Sequence, residues 1–194
     1  KAEYFYKKII LKDSKNIKAL NNYANLRKDL NKYKDAIKLL LVALKSTPTD
    51  INILYNLASC CQSLGEMNEA KKYANKILDL DPDNSSAHKF ISNITNYQKE
   101  PDHLEKLKKL LAHKINTKFT THEKIDLFFA LGKAYEDIKD YKNAYKYFNE
   151  ANIIVKKNSN FDIKLINKLF TSIINFFESL DNFSPLLNKS PKKI

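Results

Sequence analysis

Histidine and cysteine are the residue types in this 194-residue chain that could bind a metal ion or supply a nucleophile. A metal site on one helix needs two histidines four residues apart, because that spacing puts both rings on one face. None of the histidines is so spaced, and the chain has no Cys-x-x-Cys motif. We therefore predict no metal site, no cofactor and histidines that lie at the surface. The histidines are His88, His103, His113 and His122.

Cysteines and glycines give no better basis for catalysis. Cys60 and Cys61 are adjacent, and neighbouring side chains on a helix point about 100° apart, so a disulfide between them is not expected. We interpret Cys61 as a buried core residue, and a redox role is the alternative. A glycine-rich phosphate-binding loop cannot be built from two glycines, Gly65 and Gly132. We predict that this chain has no catalytic residues.

The chain is strongly basic, with a formal net charge of +12. All but one of its 34 Lys and Arg residues are lysines, the exception being Arg27, whereas proteins that read nucleic acid favour the bidentate guanidinium of arginine. We interpret the charge as a solvated lysine-rich surface, and an anionic partner is the alternative. No apolar run approaches the roughly 20 residues of a membrane span. We expect no nucleic acid, no membrane partner and a cytoplasmic location.

A residue pattern repeats every 34 residues, from Ile17 to Ile51 and from Ile51 to Ser85. This pattern predicts the helices that position these side chains. A fixed period of this length is the signature of stacked helical repeats. Small residues recur where two helices would cross closely, and large residues recur where they would fill the core. A further match begins at Ile125. The small residues are Ala24, Ala36, Ala58, Ala70, Gly132 and Ala144.

This pattern resembles the tetratricopeptide repeat (TPR) family. The resemblance implies an all-α fold, namely a right-handed superhelical TPR solenoid of antiparallel helix pairs with a C-terminal capping helix. The register slips between Ser85 and Ile125, which are 40 rather than 34 residues apart. The chain begins in mid-repeat, so we expect a fragment of a longer protein. The predicted divisions of the helical-repeat domain 1–178 are a half repeat 1–14, repeats 17–50 and 51–84, a divergent unit 85–124, a repeat 125–158 and a capping helix 159–178, followed by a linker 179–194.

The resemblance also implies a binding surface, because the first helix of each TPR pair lines a concave face. Counting Ile17, Ile51, Ser85 and Ile125 as position 1, positions 2, 5, 6, 9, 12 and 13 face that groove. Asparagine can both donate to and accept from a peptide backbone, so a ladder of asparagines can hold an extended chain. The alternative is that asparagine is merely tolerated there. The candidate peptide-binding residues are Asn21, Asn22, Asn25, Asn52, Tyr55, Asn56, Lys89 and Asn93.

The carboxy-terminal half shows a narrower resemblance. Residues 103–107, 129–137 and 141–148, with a helix ending in Phe176-Phe177, resemble the region preceding the catalytic domain in bacterial TPR–sulfotransferase fusions. This resemblance implies a non-catalytic scaffold that binds a protein or an extended peptide. It also implies that the chain forms the N-terminal accessory region of a sulfotransferase-like protein, with a sulfotransferase domain in cis. The alternatives are a stand-alone TPR adaptor and a self-associating scaffold that forms a homodimer.

Overall fold

The computed structural model describes residues 1–115, 120–159 and 163–187. Within these residues the chain forms ten helices and no strands, so the predicted all-α class is confirmed. It divides into two compact units, Lys1–Ile154 and Val155–Ile194. The helices are α1 (Ala2–Lys12), α2 (Ile17–Asp29), α3 (Tyr33–Ser46), α4 (Ile51–Ser63), α5 (Met67–Leu80), α6 (Ser85–Ile94), α7 (Asp102–Ile115), α8 (Thr121–Asp137), α9 (Tyr141–Asn158) and α10 (Ile163–Leu187).

Equivalent three-residue turns join α2 to α3, α4 to α5 and α8 to α9. The middle residue of each turn has a positive φ: 57° at Asn31, 79° at Gly65 and 64° at Lys139. Glycine adopts this conformation without strain and asparagine tolerates it. In the α4–α5 turn the N–H of Glu66 bonds the carbonyl of Cys61 at 2.9 Å, which closes the end of the helix and reverses the chain. The turns therefore produce helix hairpins.

The first helix of each pair begins at a side chain that caps its amino end. Asn16, Asp50 and Asn84 accept hydrogen bonds from backbone N–H groups of α2, α4 and α6. Thr120 caps α8, with the N–H of Glu123 bonding its Oγ1 at 3.2 Å and its own N–H bonding Glu123 Oε2 at 2.8 Å. This reciprocal arrangement is a capping box.

Small residues lie where the helices approach most closely, as the repeat frame predicts. Ala24, Ala36, Ala58 and Ala70 are at most 1% exposed. A Cβ atom added at Gly132 would lie 2.6 Å from the ring of Phe148, so no larger residue fits between α8 and α9 without displacement. The frame places these positions correctly because close packing of two helices tolerates only small side chains at the crossing.

The divergent unit departs from the regular helix pairs. Its first helix, α6, ends at Ile94, and an irregular segment, 95–101, precedes α7. Tyr97 of this segment is 1% exposed and packs in the cluster of buried side chains that contains Leu107 and Leu127. The slip in register lies mainly after this segment: Asp102 follows Ser85 by 17 residues and Tyr33 follows Ile17 by 16, whereas Ile125 follows Asp102 by 23 residues and Ile51 follows Tyr33 by 18.

The second unit contains α10, which corrects the predicted boundaries. The helix continues nine residues past the predicted end at 178, so the linker predicted for 179–194 is wrong over 179–187; residues 160–162 and 188–194 lie outside the described residues. A proline such as Pro185 removes one backbone hydrogen bond, and the remaining bonds keep a long helix continuous. No helix of the described residues is long and apolar enough to cross a bilayer. Large apolar side chains of α10 are exposed: Ile163, Leu165, Leu169, Phe170, Ile173, Ile174, Phe176 and Phe177.

Candidate functional site

A short amide ladder links the first helices of the two complete amino-terminal repeats. Asn56 Nδ2 on α4 donates to Asn21 Oδ1 on α2 at 2.9 Å, and Lys28 Nζ donates to Asn56 Oδ1 at 3.4 Å. The ladder therefore joins position 5 of one repeat to position 6 of the next. These bonds fix the orientation of the Asn56 amide, since its donor and acceptor ends each have a stated partner.

Next to this ladder, a pocket of about 480 Å³ opens between α4, α6 and α8. We call it the groove pocket. It is lined by Asn52, Tyr55 and Asn56 of α4 and by Lys89 of α6, which are four of the predicted binding residues. Tyr55 is 38% exposed and its ring meets that of Phe90 edge-on, with centroids 5.6 Å apart. The Phe90 ring therefore supports the Tyr55 ring, whose flat face and hydroxyl stay accessible.

The base of the groove pocket holds a buried carboxylate that sequence analysis did not identify. Asp126, on α8, is 2% exposed. Its Oδ1 accepts from Lys89 Nζ at 2.8 Å, its Oδ2 accepts from Ser86 Oγ at 2.6 Å, and His122 Nδ1 lies 3.3 Å from Oδ2. A charge can be buried in this way when it is paired and hydrogen-bonded. Lys89 is therefore not a free cation in the groove.

A positional signal for Asp126 was present in the sequence. Asn52, Ser86 and Asp126 all occupy position 2 of successive repeat windows, and the structure brings all three to the groove pocket. Sequence analysis weighed positions singly, so it did not pair Lys89 with a carboxylate 37 residues away. His122 also lines the pocket, although it lies just before the window that starts at Ile125.

Three predicted binding residues lie elsewhere. Asn22 is exposed and Asn25 is half-buried on α2, and neither lines the groove pocket. Asn93 borders a different pocket of about 390 Å³, together with Lys133 and Asp137 of α8. Asn21, another of the predicted binding residues, is the hydrogen-bond partner of Asn56 on α4.

The expectation of surface histidines is wrong for His88 and His103, which are 3% and 9% exposed. His88 Nε2 lies 2.9 Å from the carbonyl of Pro82, which can only accept, so that nitrogen donates. His88 Nδ1 then accepts from His103 Nε2 at 3.0 Å, and His103 Nδ1 accepts from the Tyr97 hydroxyl at 2.5 Å. The chain of bonds continues to Ser92 Oγ, 2.6 Å from the Tyr97 oxygen.

Burial controls the protonation of this chain. It lowers the pKa of His88, and it lowers the pKa of His103 to about 3, with the nearby charge of Lys106 acting in the same direction on both. Burial also raises the pKa of the Tyr97 hydroxyl. Both histidines are therefore neutral at physiological pH, as the donor and acceptor roles above require. The arrangement holds the irregular segment 95–101 against α6 and α7.

The described residues show little that could support redox or metal chemistry. Cys60 and Cys61 are buried, and burial raises the pKa of the Cys61 thiol to about 11, so neither is a reactive thiolate at neutral pH. No group of three or more His, Cys, Asp or Glu side chains in that part of the chain is arranged to hold a metal ion. The groove pocket remains the place where polar side chains of several helices converge.

A larger pocket, of about 670 Å³, lies between α5 and α7. Its walls carry carboxylates of the α5 end, Asp79 and Asp83, and lysines of α7, Lys106 and Lys109, around an apolar floor that includes Leu110. It arises where the divergent unit interrupts the regular succession of second helices. None of the predicted binding residues lines it.

Comparison with known families identifies the repeats directly. Tetratricopeptide-repeat family models match residues 31–94 and residues 125–152. The first match covers part of the predicted repeat 17–50, all of the predicted repeat 51–84 and all of α6, and the second lies within the predicted repeat 125–158. The irregular segment 95–101 is outside both matches. Tetratricopeptide repeats are therefore present in this chain, as the 34-residue period predicts.

One known protein resembles this chain in sequence, and solved structures resemble it in fold. An uncharacterized protein of Aquifex aeolicus is 30% identical over 132 residues, and the match spans 68% of this chain but only 17% of that protein. A crystal structure of MamA has a TM-score of 0.61 at 22% identity, covering 80% of this chain and 88% of that chain. A tetratricopeptide repeat protein of Parabacteroides merdae has a TM-score of 0.64 at 19% identity, covering 80% and 60%. At these identities the structures show the TPR solenoid fold.

Proposed function

We propose that this tetratricopeptide-repeat chain is a non-catalytic scaffold that binds an extended segment of another polypeptide in the groove pocket. The observation that carries the proposal is the convergence of Asn52, Tyr55 and Lys89 from two helices on one pocket of about 480 Å³. Amide, hydroxyl and ammonium groups can bond the carbonyl and N–H groups of a peptide backbone. Protein binding is also the general role of TPR domains.

The position of the amide ladder supports an extended ligand rather than a compact one. Asn21 and Asn56 continue the line of polar groups from the pocket toward α2. Repeats of the same frame present equivalent positions at a regular spacing, and an extended peptide is the ligand whose polar groups also recur regularly. The recognition of backbone groups gives affinity without requiring a single sequence.

Peptide arrays test this function. The purified chain is applied to arrayed 15-residue peptides, and bound peptides are then titrated in solution. Replacing Tyr55 by alanine removes the aromatic surface of the pocket and should weaken binding roughly fivefold or more, as central interface tyrosines commonly do. The matched control is Tyr141→Ala, since Tyr141 on α9 is 65% exposed and does not line the pocket. Equal affinities for the two variants would contradict a role for this pocket.

The second candidate is an accessory role beside a sulfotransferase domain in cis. It is supported by the resemblance of residues 103–177 to the region that precedes such domains, and by no contact described above. Sequencing the parent reading frame beyond Ile194 tests it. A hydrophobic strand followed by a Pro-Arg-Ser-Gly-Thr-type loop would support the accessory role, and a stop codon would exclude it and leave a stand-alone adaptor.

A further inference from the structure

We infer that the groove pocket selects uncharged polypeptide segments and discriminates against acidic ones, because Asp126 neutralises the lysine that projects into it. The inference rests on the proposed function and specifies the class of ligand. Sequence alone places Lys89 among the binding residues of a chain with a net charge of +12, which favours an acidic ligand. The structure places a carboxylate 2.8 Å from its ammonium nitrogen.

The position of Lys89 is fixed on two sides. Its ammonium nitrogen bonds Asp126 Oδ1, and it lies 5.5 Å from the centre of the Phe129 ring. The side chain is 37% exposed, whereas that of Asp126 is 3% exposed. The charge of the pair is therefore balanced at the base of the pocket, and the lysine can still direct its remaining N–H groups outward.

Apart from His122 and the apolar Ile51, the other side chains that line the pocket are neutral hydrogen-bonding groups. Asn52 and Tyr55 are exposed on α4, and Asn56 is held by the ladder to Asn21. A peptide carbonyl that enters can accept from these donors without bringing a charge. A carboxylate that enters must instead leave water, approach the buried charge of Asp126 and compete with it for Lys89.

Side chains of two helices hold the Asp126 carboxylate in place at the pocket. Ser86 Oγ donates to its Oδ2 at 2.6 Å, and His122 Nδ1 lies 3.3 Å from the same oxygen. Ser86 and Lys89 stand on α6 while His122 and Asp126 stand on α8, so the bonds also join the two helices. Like-charge juxtaposition in a partly desolvated pocket acts mainly on specificity rather than on total affinity.

The experiment measures the affinity of the whole chain for three sets of acetylated and amidated 15-residue peptides. One set contains Ser, Thr, Asn and Gln at its polar positions, and the other two carry three Glu or three Lys substitutions in the same peptides. The wild-type chain should bind the neutral set more tightly than the Glu set. Asp126→Asn leaves Lys89 unneutralised, so it should raise affinity for the Glu set about tenfold and change the neutral set less than threefold.

Two further variants separate charge from structure. Glu150→Gln makes the same change in net charge at an exposed position of α9 and should leave the preference unchanged. Combining Lys89→Gln with Asp126→Asn removes the ion pair but keeps the pocket neutral, so the wild-type preference should return.

Three outcomes would overturn the inference. They are a wild-type preference for the Glu set, an unchanged preference in Asp126→Asn, and an acidic preference in the double variant. If the chain binds none of the three sets, the proposed function fails together with the inference. If it binds them without the predicted preference, only the inference fails.

Discussion

Lowering the pH from about 7.5 to about 5 should destabilise the fold through the buried pair His88 and His103. In the unfolded chain a histidine gains its proton near its ordinary pKa of 6.5, whereas the pKa of His103 in the folded chain is lowered to about 3 by burial. Between these values the unfolded chain binds more protons than the folded chain. The free energy of unfolding therefore falls as the pH falls below 6.5.

The size of the effect follows from the shift in the pKa of His103. Each pH unit between the two pKa values changes the free energy of unfolding by about 1.4 kcal/mol. From pH 7.5 to pH 5 the loss from His103 is about 2 kcal/mol. The pKa of His88 is lowered for the same reason, so its contribution has the same sign. A loss of this size is a large fraction of the stability of an ordinary domain.

Urea unfolding followed by circular dichroism at the two pH values measures the loss. The test variant is His103→Gln, which has no titrating ring and should lose less stability than the wild type by about 2 kcal/mol. The matched control is His113→Gln, because the side chain of His113 is 64% exposed and lies outside the buried pair. Equal losses in the wild type and in His103→Gln would refute the reasoning.

Two predictions concern the close helix contacts. Ala70→Leu inserts three carbon atoms at a position that is 0% exposed and should cost about 1–3 kcal/mol; an unchanged melting temperature would contradict the repeat frame. Gly132→Ala places a methyl group 2.6 Å from the Phe148 ring, so that ring must move, at a cost of about 1–3 kcal/mol. Calorimetry of Gly132→Ala beside the exposed-site control Ser172→Ala measures this cost, and equal melting temperatures would show that the ring moves freely.

The helices and their pairing could be predicted from local signals. Ala24 and Ala70 recur at fixed places in a 34-residue window, and Thr120 and Glu123 form a capping box within four residues. Such features depend on neighbours in sequence or on a repeated contact, so one window predicts the next. The predicted capping helix ends before α10 does, because residues 179–194 show no clear helical pattern and contain two prolines, whereas α10 continues to Leu187.

The candidate site could be predicted only in part. Asn52, Tyr55 and Lys89 were identified because the repeat frame assigns them to the inner face of first helices, and they do line one pocket. The frame also selected Asn22 and Asn93, which lie away from that pocket, because it specifies a face of a helix and not a distance to other side chains. The discrimination between Asn21 and Asn22 as the partner of Asn56 needed coordinates.

The sequence by itself determined the architecture and the face on which the candidate binding groups lie, since periodic spacing encodes which side of each helix is buried. Only the tertiary structure decided the chemistry of that face. Asp126 meets Lys89 across 37 residues of sequence, and His103 meets His88 across 15. These pairs form between side chains that α6, α7 and α8 bring together in the fold, and no periodic pattern records which side chains meet. The charge of the groove and the protonation of the core therefore follow from the fold.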